Sequence, residues 1–253
     1  MSKVITVHSF RRAAGKTSLV ANLCTLLANQ GRRVAAVDTD FRAPNLNLFF
    51  SLPEEEISCC LNDFLWGKCS GIEQVICDVT SRLGIPSPGK LLLVPASSSV
   101  SEIVQILRHP YDLEKLDEAI SQVTKSYQLD DLVMDTSAGL DQDNLLSIAI
   151  SNTLIVLLRP EKPDYQGTAV TVEVVRNLGV SRLLLVLNDT PKDLNIEQAQ
   201  HELEEIYHCE VGALLPHSEE LMTLASTKPL SLDVPNDPYV MQLKQLAARL
   251  VAD

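Results

Sequence analysis

Val4-Ile5-Thr6-Val7-His8-Ser9-Phe10-Arg11-Arg12-Ala13-Ala14-Gly15-Lys16-Thr17-Ser18 is the stretch that decides the fold. The β-branched run Val4–Val7 reads as a buried strand. In Thr17–Gln30, Leu19, Val20, Leu23, Leu26 and Leu27 fall on one helical face, and Gly31 stands where a C-terminal cap belongs. Between strand and helix, Gly15-Lys16-Thr17 is the second half of the phosphate-binding pattern G-x-x-x-x-G-K-[ST]. The first glycine of that pattern falls on Phe10, so the strict motif fails. The context nevertheless suits an anion, because successive backbone N–H groups and a helix N-terminus would face it. Lys16 would reach the β- and γ-phosphates, and the Thr17 hydroxyl would bind Mg2+. A plain strand–turn–helix is the bland alternative, since Gly-Lys-Thr alone arises by chance.

Outward from this loop, apolar runs alternate with helix-period segments. Strands are expected at Val34–Val37, Leu91–Val94, Leu132–Met134, Leu154–Leu158, Leu183–Leu187 and Val211–Leu215. Helices are expected near Leu61–Trp66, Val100–Leu107, Asp112–Tyr127, Leu145–Ile150 and Ile196–Tyr207. Another has Val170, Val174 and Leu178 as its face, and a last one carries Leu243, Leu246, Ala247 and Leu250. Asp38 to about Pro53 and Ser81–Gly89 read as loops. Strands apolar throughout, each followed by a helix, imply an α/β domain: three layers, a mostly parallel twisted sheet with helices on both faces. No repeat or linker interrupts the 253 residues, so one domain is the economical reading. Ligands in such sheets bind where strands end and helices begin.

The residues after the strands carry a family resemblance. The loop resembles the deviant Walker A motif, K-G-G-x-G-K-[ST], of the MinD/ParA ATPases. Val37-Asp38-Thr39-Asp40-Phe41-Arg42-Ala43-Pro44-Asn45-Leu46-Asn47-Leu48 is similar to their switch I, and Asp131-Leu132-Val133-Met134-Asp135-Thr136-Ser137-Ala138-Gly139 to their switch II. Asn188 and Leu215-Pro216-His217 resemble their adenine-contacting positions. The order and spacing match from Lys3 to about Val251, least well over Glu54–Lys90.

The resemblance implies a P-loop ATPase that binds Mg·ATP and forms a nucleotide-sandwich homodimer. Its phosphate cradle would be Arg12, Ala13, Ala14, Gly15, Lys16, Thr17 and Ser18. Asp40 would orient the attacking water, with Lys16 stabilising charge. Thr17, Asp38 and Asp135 would serve Mg2+, the last as an exposed carboxylate ending its strand. The Gly139 N–H would sense the γ-phosphate, and Asn188, Pro216 and His217 would hold the base. Capping or turn roles are the plain alternatives for these strand-end polar residues. His8 reads as a bystander. Where the family has its signature Lys, which reaches across the dimer, this chain has Arg11. Two family glycines are replaced by Arg12 and Ala13. An Arg can bind phosphate through its fork, so Arg11, or failing it Arg12, is the candidate trans-acting finger; a solvated loop Arg is the alternative. Lost glycines also restrict the loop. A hydrolysis-deficient, nucleotide-dependent scaffold is therefore the second reading.

Composition narrows the branch. The chain is 45% hydrophobic with only 4% aromatics and a net charge of −12, which disfavours nucleic-acid binding. After position 194 the cations Lys228, Lys244 and Arg249 face ten acidic residues, the reverse of a DNA-gliding relative. No basic amphipathic extension suggests a stable membrane anchor, and no signal peptide precedes the first strand. The expectation is a cytoplasmic ATPase acting through a protein adaptor or activator. Six cysteines then read as reduced thiols. The group Cys59–Cys77 keeps a metal site, and with it a metal-insertion role, as a minor possibility.

Overall fold

A computed structural model describes residues 2–108 and 113–252. In chain order the strands and α-helices are β1 (Lys3–Ser9), α1 (Lys16–Asn29), β2 (Arg33–Thr39), α2 (Leu46–Phe49), α3 (Leu61–Leu65), β3 (Cys77–Asp78), β4 (Lys90–Val94), α4 (Val100–Arg108), α5 (Leu113–Ser126), β5 (Asp131–Ala138) and α6 (Gln142–Ala149). There follow β6 (Thr153–Leu158), α7 (Lys162–Leu178), β7 (Arg182–Thr190), α8 (Ile196–Tyr207), β8 (Glu210–Pro216), α9 (Glu219–Leu224), α10 (Leu230–Asp233) and α11 (Pro238–Ala252).

The strands form one eight-stranded sheet in the order β3-β4-β2-β5-β1-β6-β7-β8. All neighbours are parallel except β3, which runs antiparallel to β4 at one edge. Strand side chains alternate between two apolar layers, as a period of two requires. Ile5, Val7, Ala36, Leu91, Leu93, Leu184 and Val186 pack with α1 and α11. Ala35, Val37, Leu92 and Val94 face α3 and α5 on the other side, and Leu185 and Leu187 face α7 and α8. The expected three-layer α/β architecture is the one observed.

Several local expectations change. Val170 and Leu178 are exposed; α7 buries Gly167, Thr168, Thr171, Val172 and Val175 instead, so its inner face is made of small and β-branched residues. The segment Asp38–Pro53 contains α2, and β3, α9 and α10 were too short to show a period. The expected helix start at Asp112 lies outside the described residues. The strand β5 does not end at Asp135. Being central, it pairs on both sides, and its ladder with β1 continues to Ser9–Ala138. Asp135 is consequently buried rather than exposed. Cys59 and Cys69 are joined in a disulfide, which corrects the reading of six free thiols. The turn after α3 folds back through Gly67 and brings their Cα atoms to 6.8 Å, near the upper limit for bridging.

Candidate functional site

Strand β1 delivers the phosphate loop to the carboxyl edge of the sheet, between β5 and β6. Two cavities meet at its backbone. One, of about 340 Å3, is lined by Arg12, Ala13, Gly15, Lys16, Thr17, Ser18 and Asp40, together with Asn45, Phe49 and Ser226. The other, of about 310 Å3, is lined by Ala13, Gly15, Asn188, Pro216 and His217, together with Arg159, Asp189 and Tyr239. The first is headed by a lysine and a hydroxyl at a helix start. The second is walled by the ends of β7 and β8. A charged group and a flat base suit this pair of spaces.

Gly15 is the residue the loop cannot replace. Its φ is +98°, and a Cβ there would meet Asn188 Nδ2 at 2.5 Å. Ala13 also adopts a left-handed backbone, with φ +59°. That conformation costs an alanine roughly 1 kcal/mol.

Lys16 is buried and donates to Ser9 Oγ at 3.1 Å. Burial lowers its pKa, Asp135 and Asp40 oppose that, and Arg12 adds to it. Asp135 sits level with Asp38 across β2 and with Val7 across β1. Burial pushes its carboxyl up to about 7, against the opposing influence of the Thr17 hydroxyl and the Lys16 ammonium. Neither Asp135 oxygen makes a hydrogen bond within ordinary geometry among the described residues, although the Thr17 hydroxyl stands near enough to favour the charged form. An unsatisfied buried carboxylate beside a helix-start hydroxyl is the donor set a hard cation such as Mg2+ takes.

Asp38 is buried too, and burial beside Asp135 raises its pKa. Its oxygens are committed to backbone: Oδ1 accepts from Asp40 N–H, and Oδ2 from Asn45 and Leu46 N–H at the start of α2. It therefore shapes the loop after β2, the capping role set against a metal role above. Asp40 lines the cavity, and its Oδ1 accepts from Ala43 N–H at 3.2 Å.

Other residues predicted for the site lie differently. Arg11 turns away from both cavities and pairs with Asp164 at 3.1 Å and Glu161 at 3.3 Å, at the start of α7. Arg12 is the loop arginine that lines the first cavity. Gly139, with φ +93°, donates its N–H to the Ser9 carbonyl and lines neither cavity. Ala14 is buried, and its carbonyl accepts from Asn188 Nδ2 at 2.8 Å, so Asn188 braces the loop as well as lining the base-sized cavity. His217 contributes Nδ1 to a 2.6 Å contact with Asp189, which Arg159 pairs on its other side.

Over residues 2–184 the sequence matches the family described as an AAA domain. The septum site-determining protein MinD of Thermotoga maritima is 24% identical over 257 aligned residues, covering 99% of this chain and 88% of that one. The MinD of Pyrococcus horikoshii complexed with Mg-ADP superposes with a TM-score of 0.79 at 22% identity, over 99% and 96% of the two chains. The MinC:MinD cell division complex of Aquifex aeolicus gives 0.81 at 20% identity, over 100% and 96%. The chain belongs to this AAA-domain family. Within it, it is a MinD/ParA-like ATPase.

In this MinD/ParA-like ATPase the candidate site is also surrounded by contacts that its motifs do not announce. Ser9 joins Lys16 to the loop by donating its own hydroxyl to the Arg11 carbonyl at 2.7 Å. Arg42, after β2, pairs with Asp141, after β5, at 2.6 Å and so links the two switch-like loops. Glu161 and Asp164 hold Arg11 from about 150 residues away, and no local spacing could have paired them.

Proposed function

We propose that this chain binds Mg·ATP across the two cavities, dimerises over the bound nucleotides, and hydrolyses ATP slowly until a protein partner stimulates it. The observation that carries the reading is the meeting of the two cavities at Ala13–Gly15, with Lys16 and Thr17 lining one of them and the buried Asp135 carboxylate beside those two side chains. The Mg-ADP bound to the Pyrococcus horikoshii MinD and the MinC bound to the Aquifex aeolicus MinD support the nucleotide and the protein partner.

Lys16 would exchange its bond to Ser9 for phosphate oxygens. Thr17 and Asp135 would hold Mg2+, which when bound neutralises phosphate charge. Asp40 would orient the attacking water, because phosphoryl transfer depends on positioning more than on strong base catalysis. Arg12 would face the phosphates from its own subunit. Arg11 would reach a partner's phosphates only after leaving Asp164 and Glu161. Gly139 would likewise have to release Ser9 before its N–H could report a γ-phosphate. These exchanges supply two loop states, the element that a nucleotide switch needs. Turnover is then expected to be slow in the isolated chain, since the resting contacts compete with the catalytic ones.

The cis pairing of Arg11 also favours the second reading, a scaffold that binds nucleotide without splitting it. Light scattering after size exclusion, with ADP, ATP and a non-hydrolysable analogue, separates the two when combined with phosphate release. An ATP-dependent dimer with slow release, both lost in Lys16→Ala and only release lost in Asp40→Ala, supports the enzyme. A dimer without any release supports the scaffold. A monomer under all nucleotides with no release rejects the switch.

A further inference from the structure

Away from the nucleotide cavities, a cluster of thiols and carboxylates around α3 has no part in the proposed cycle. Cys59 and Cys60 precede this helix, and Cys69 follows the turn that closes it. The turn is tight: Lys68 N–H donates to the Asp63 carbonyl at 2.8 Å, which returns the chain to its starting point. Asp63 projects from α3 into the gap. Its carboxylate and the sulfurs of Cys59 and Cys69 are ligand atoms all within 4.8 Å of one another. The same carboxylate accepts from Cys60 Sγ at 2.9 Å, and Cys60, Asp63 and Glu102 of α4 form a second set of equal span. Three sulfurs and one further carboxylate, that of Glu102, thus gather about one aspartate.

The donor types choose the ion. Ca2+ and Mg2+ take oxygen ligands, whereas two thiolates with a carboxylate suit a borderline-soft ion such as Zn2+. A tetrahedral zinc with Zn–S bonds of about 2.3 Å separates its ligand atoms by roughly 3.5–4 Å, so the two sulfurs must move apart once the disulfide opens, which Cα atoms already 6.8 Å apart allow. The charged neighbours leave the inner face open. The Lys68 ammonium contacts Asp63 Oδ1 at 3.0 Å and Glu102 Oε1 at 2.9 Å and lies over the Trp66 ring, while Asp63 Oδ2 remains toward the sulfurs. Cys77, by contrast, sits on β3 with its thiol at the Val75 carbonyl and belongs to neither set.

We propose that Cys59, Cys69 and Asp63 form a zinc site when the Cys59–Cys69 pair is reduced. A dithiol reductant supplies the two electrons and two protons that open the disulfide and is itself oxidised to a disulfide. Zinc uptake then releases both thiol protons as two Zn–S bonds and one Zn–O bond form. The oxidised pair has no thiolate to offer, so metal and disulfide exclude each other. The Cys60 thiol, hydrogen-bonded to Asp63, fixes the carboxylate that serves as third ligand.

The test uses the full chain, reduced and freed of reductant without air, titrated with Co2+ and then Zn2+. One equivalent of cobalt is expected to give a thiolate-to-metal charge-transfer band that zinc abolishes. The band should disappear in Cys59→Ser and Cys69→Ser, persist in Cys209→Ser, and be absent from the oxidised wild type. Asp63→Asn should weaken zinc at least tenfold. The oxidised wild type keeps its native side chains, so it remains a valid control even if a serine variant folds poorly. A reduced wild type without the band, or a band unchanged in Cys59→Ser and Cys69→Ser, would overturn the site. Neither result depends on ATP hydrolysis.

Discussion

His8 stands next to the end of strand β1 with no exposed surface, its Nδ1 against the Thr136 hydroxyl at 3.0 Å. Burial, helped by the nearby Lys16 ammonium, pushes its imidazole from 6.5 down to about 3. Between those values the unfolded chain takes up a proton that the folded chain refuses. The stability His8 contributes is therefore complete above pH 6.5 and is lost as pH falls toward 3. From pH 7.5 to pH 5 the loss should reach about 2 kcal/mol, at roughly 1.4 kcal/mol per unit below 6.5. Urea unfolding at the two pH values should show His8→Gln losing markedly less than wild type; equal losses would refute this account. At this scale the sequence was readable where a local motif concentrates the chemistry, as at Gly15, Lys16 and Thr17. It was silent on Arg11, whose choice between partner and solvent is decided by Asp164, a carboxylate with 6% of its side chain exposed.

Helix α7 shows how an element can be right in kind and wrong in face. Its valines and leucine suggested an apolar stripe, but Val170 and Leu178 face solvent. The inner side carries Gly167 because the Phe10 ring lies on it; a Cβ at 167 would fall 2.0 Å from Phe10 Cδ1. A glycine inside a helix costs up to about 1 kcal/mol relative to alanine, and here close packing repays it. Phe10 and Arg11 thus fasten the first half of the phosphate loop to α7. Gly167→Ala should destabilise the protein by about 1–2 kcal/mol despite its better helix propensity, because the ring must move. Adding Phe10→Ala should recover part of that loss in chemical denaturation. Additive effects of the two substitutions would show that they do not meet. Long helices such as α1, α8 and α11 were legible because their apolar spacing persists over several turns. The four-residue α2 and α10 are held by tertiary contacts, Leu46 and Leu230 being buried against the α1 layer, and no period can form in so short a run.

Across the whole molecule, charge and topology act together. The few C-terminal cations are already engaged: Lys228 with Asp233, Lys244 with the Pro235 carbonyl, and Arg249 with Glu210 and the Val211 carbonyl. A chain of net charge −12 with those cations occupied should not retain duplex DNA. Fluorescence anisotropy with labelled duplex, with and without ATP at 0.1 M salt, should stay flat; a salt-sensitive rise would contradict it. The class of fold was legible because fully apolar strands alternate with helices. The strand order was not, since nothing in the apolar runs says which neighbour each one takes. The disulfide was hidden for a similar reason, depending on how one turn closes rather than on a spacing motif. A sheet edge is a template for a stranger's strand. On the β4 side that template is covered by two residues running the opposite way, Cys77 and Asp78, the latter exposed and paired with Lys90. An incoming strand would find almost no ladder to copy and a carboxylate at its end, so this edge is guarded against filament growth.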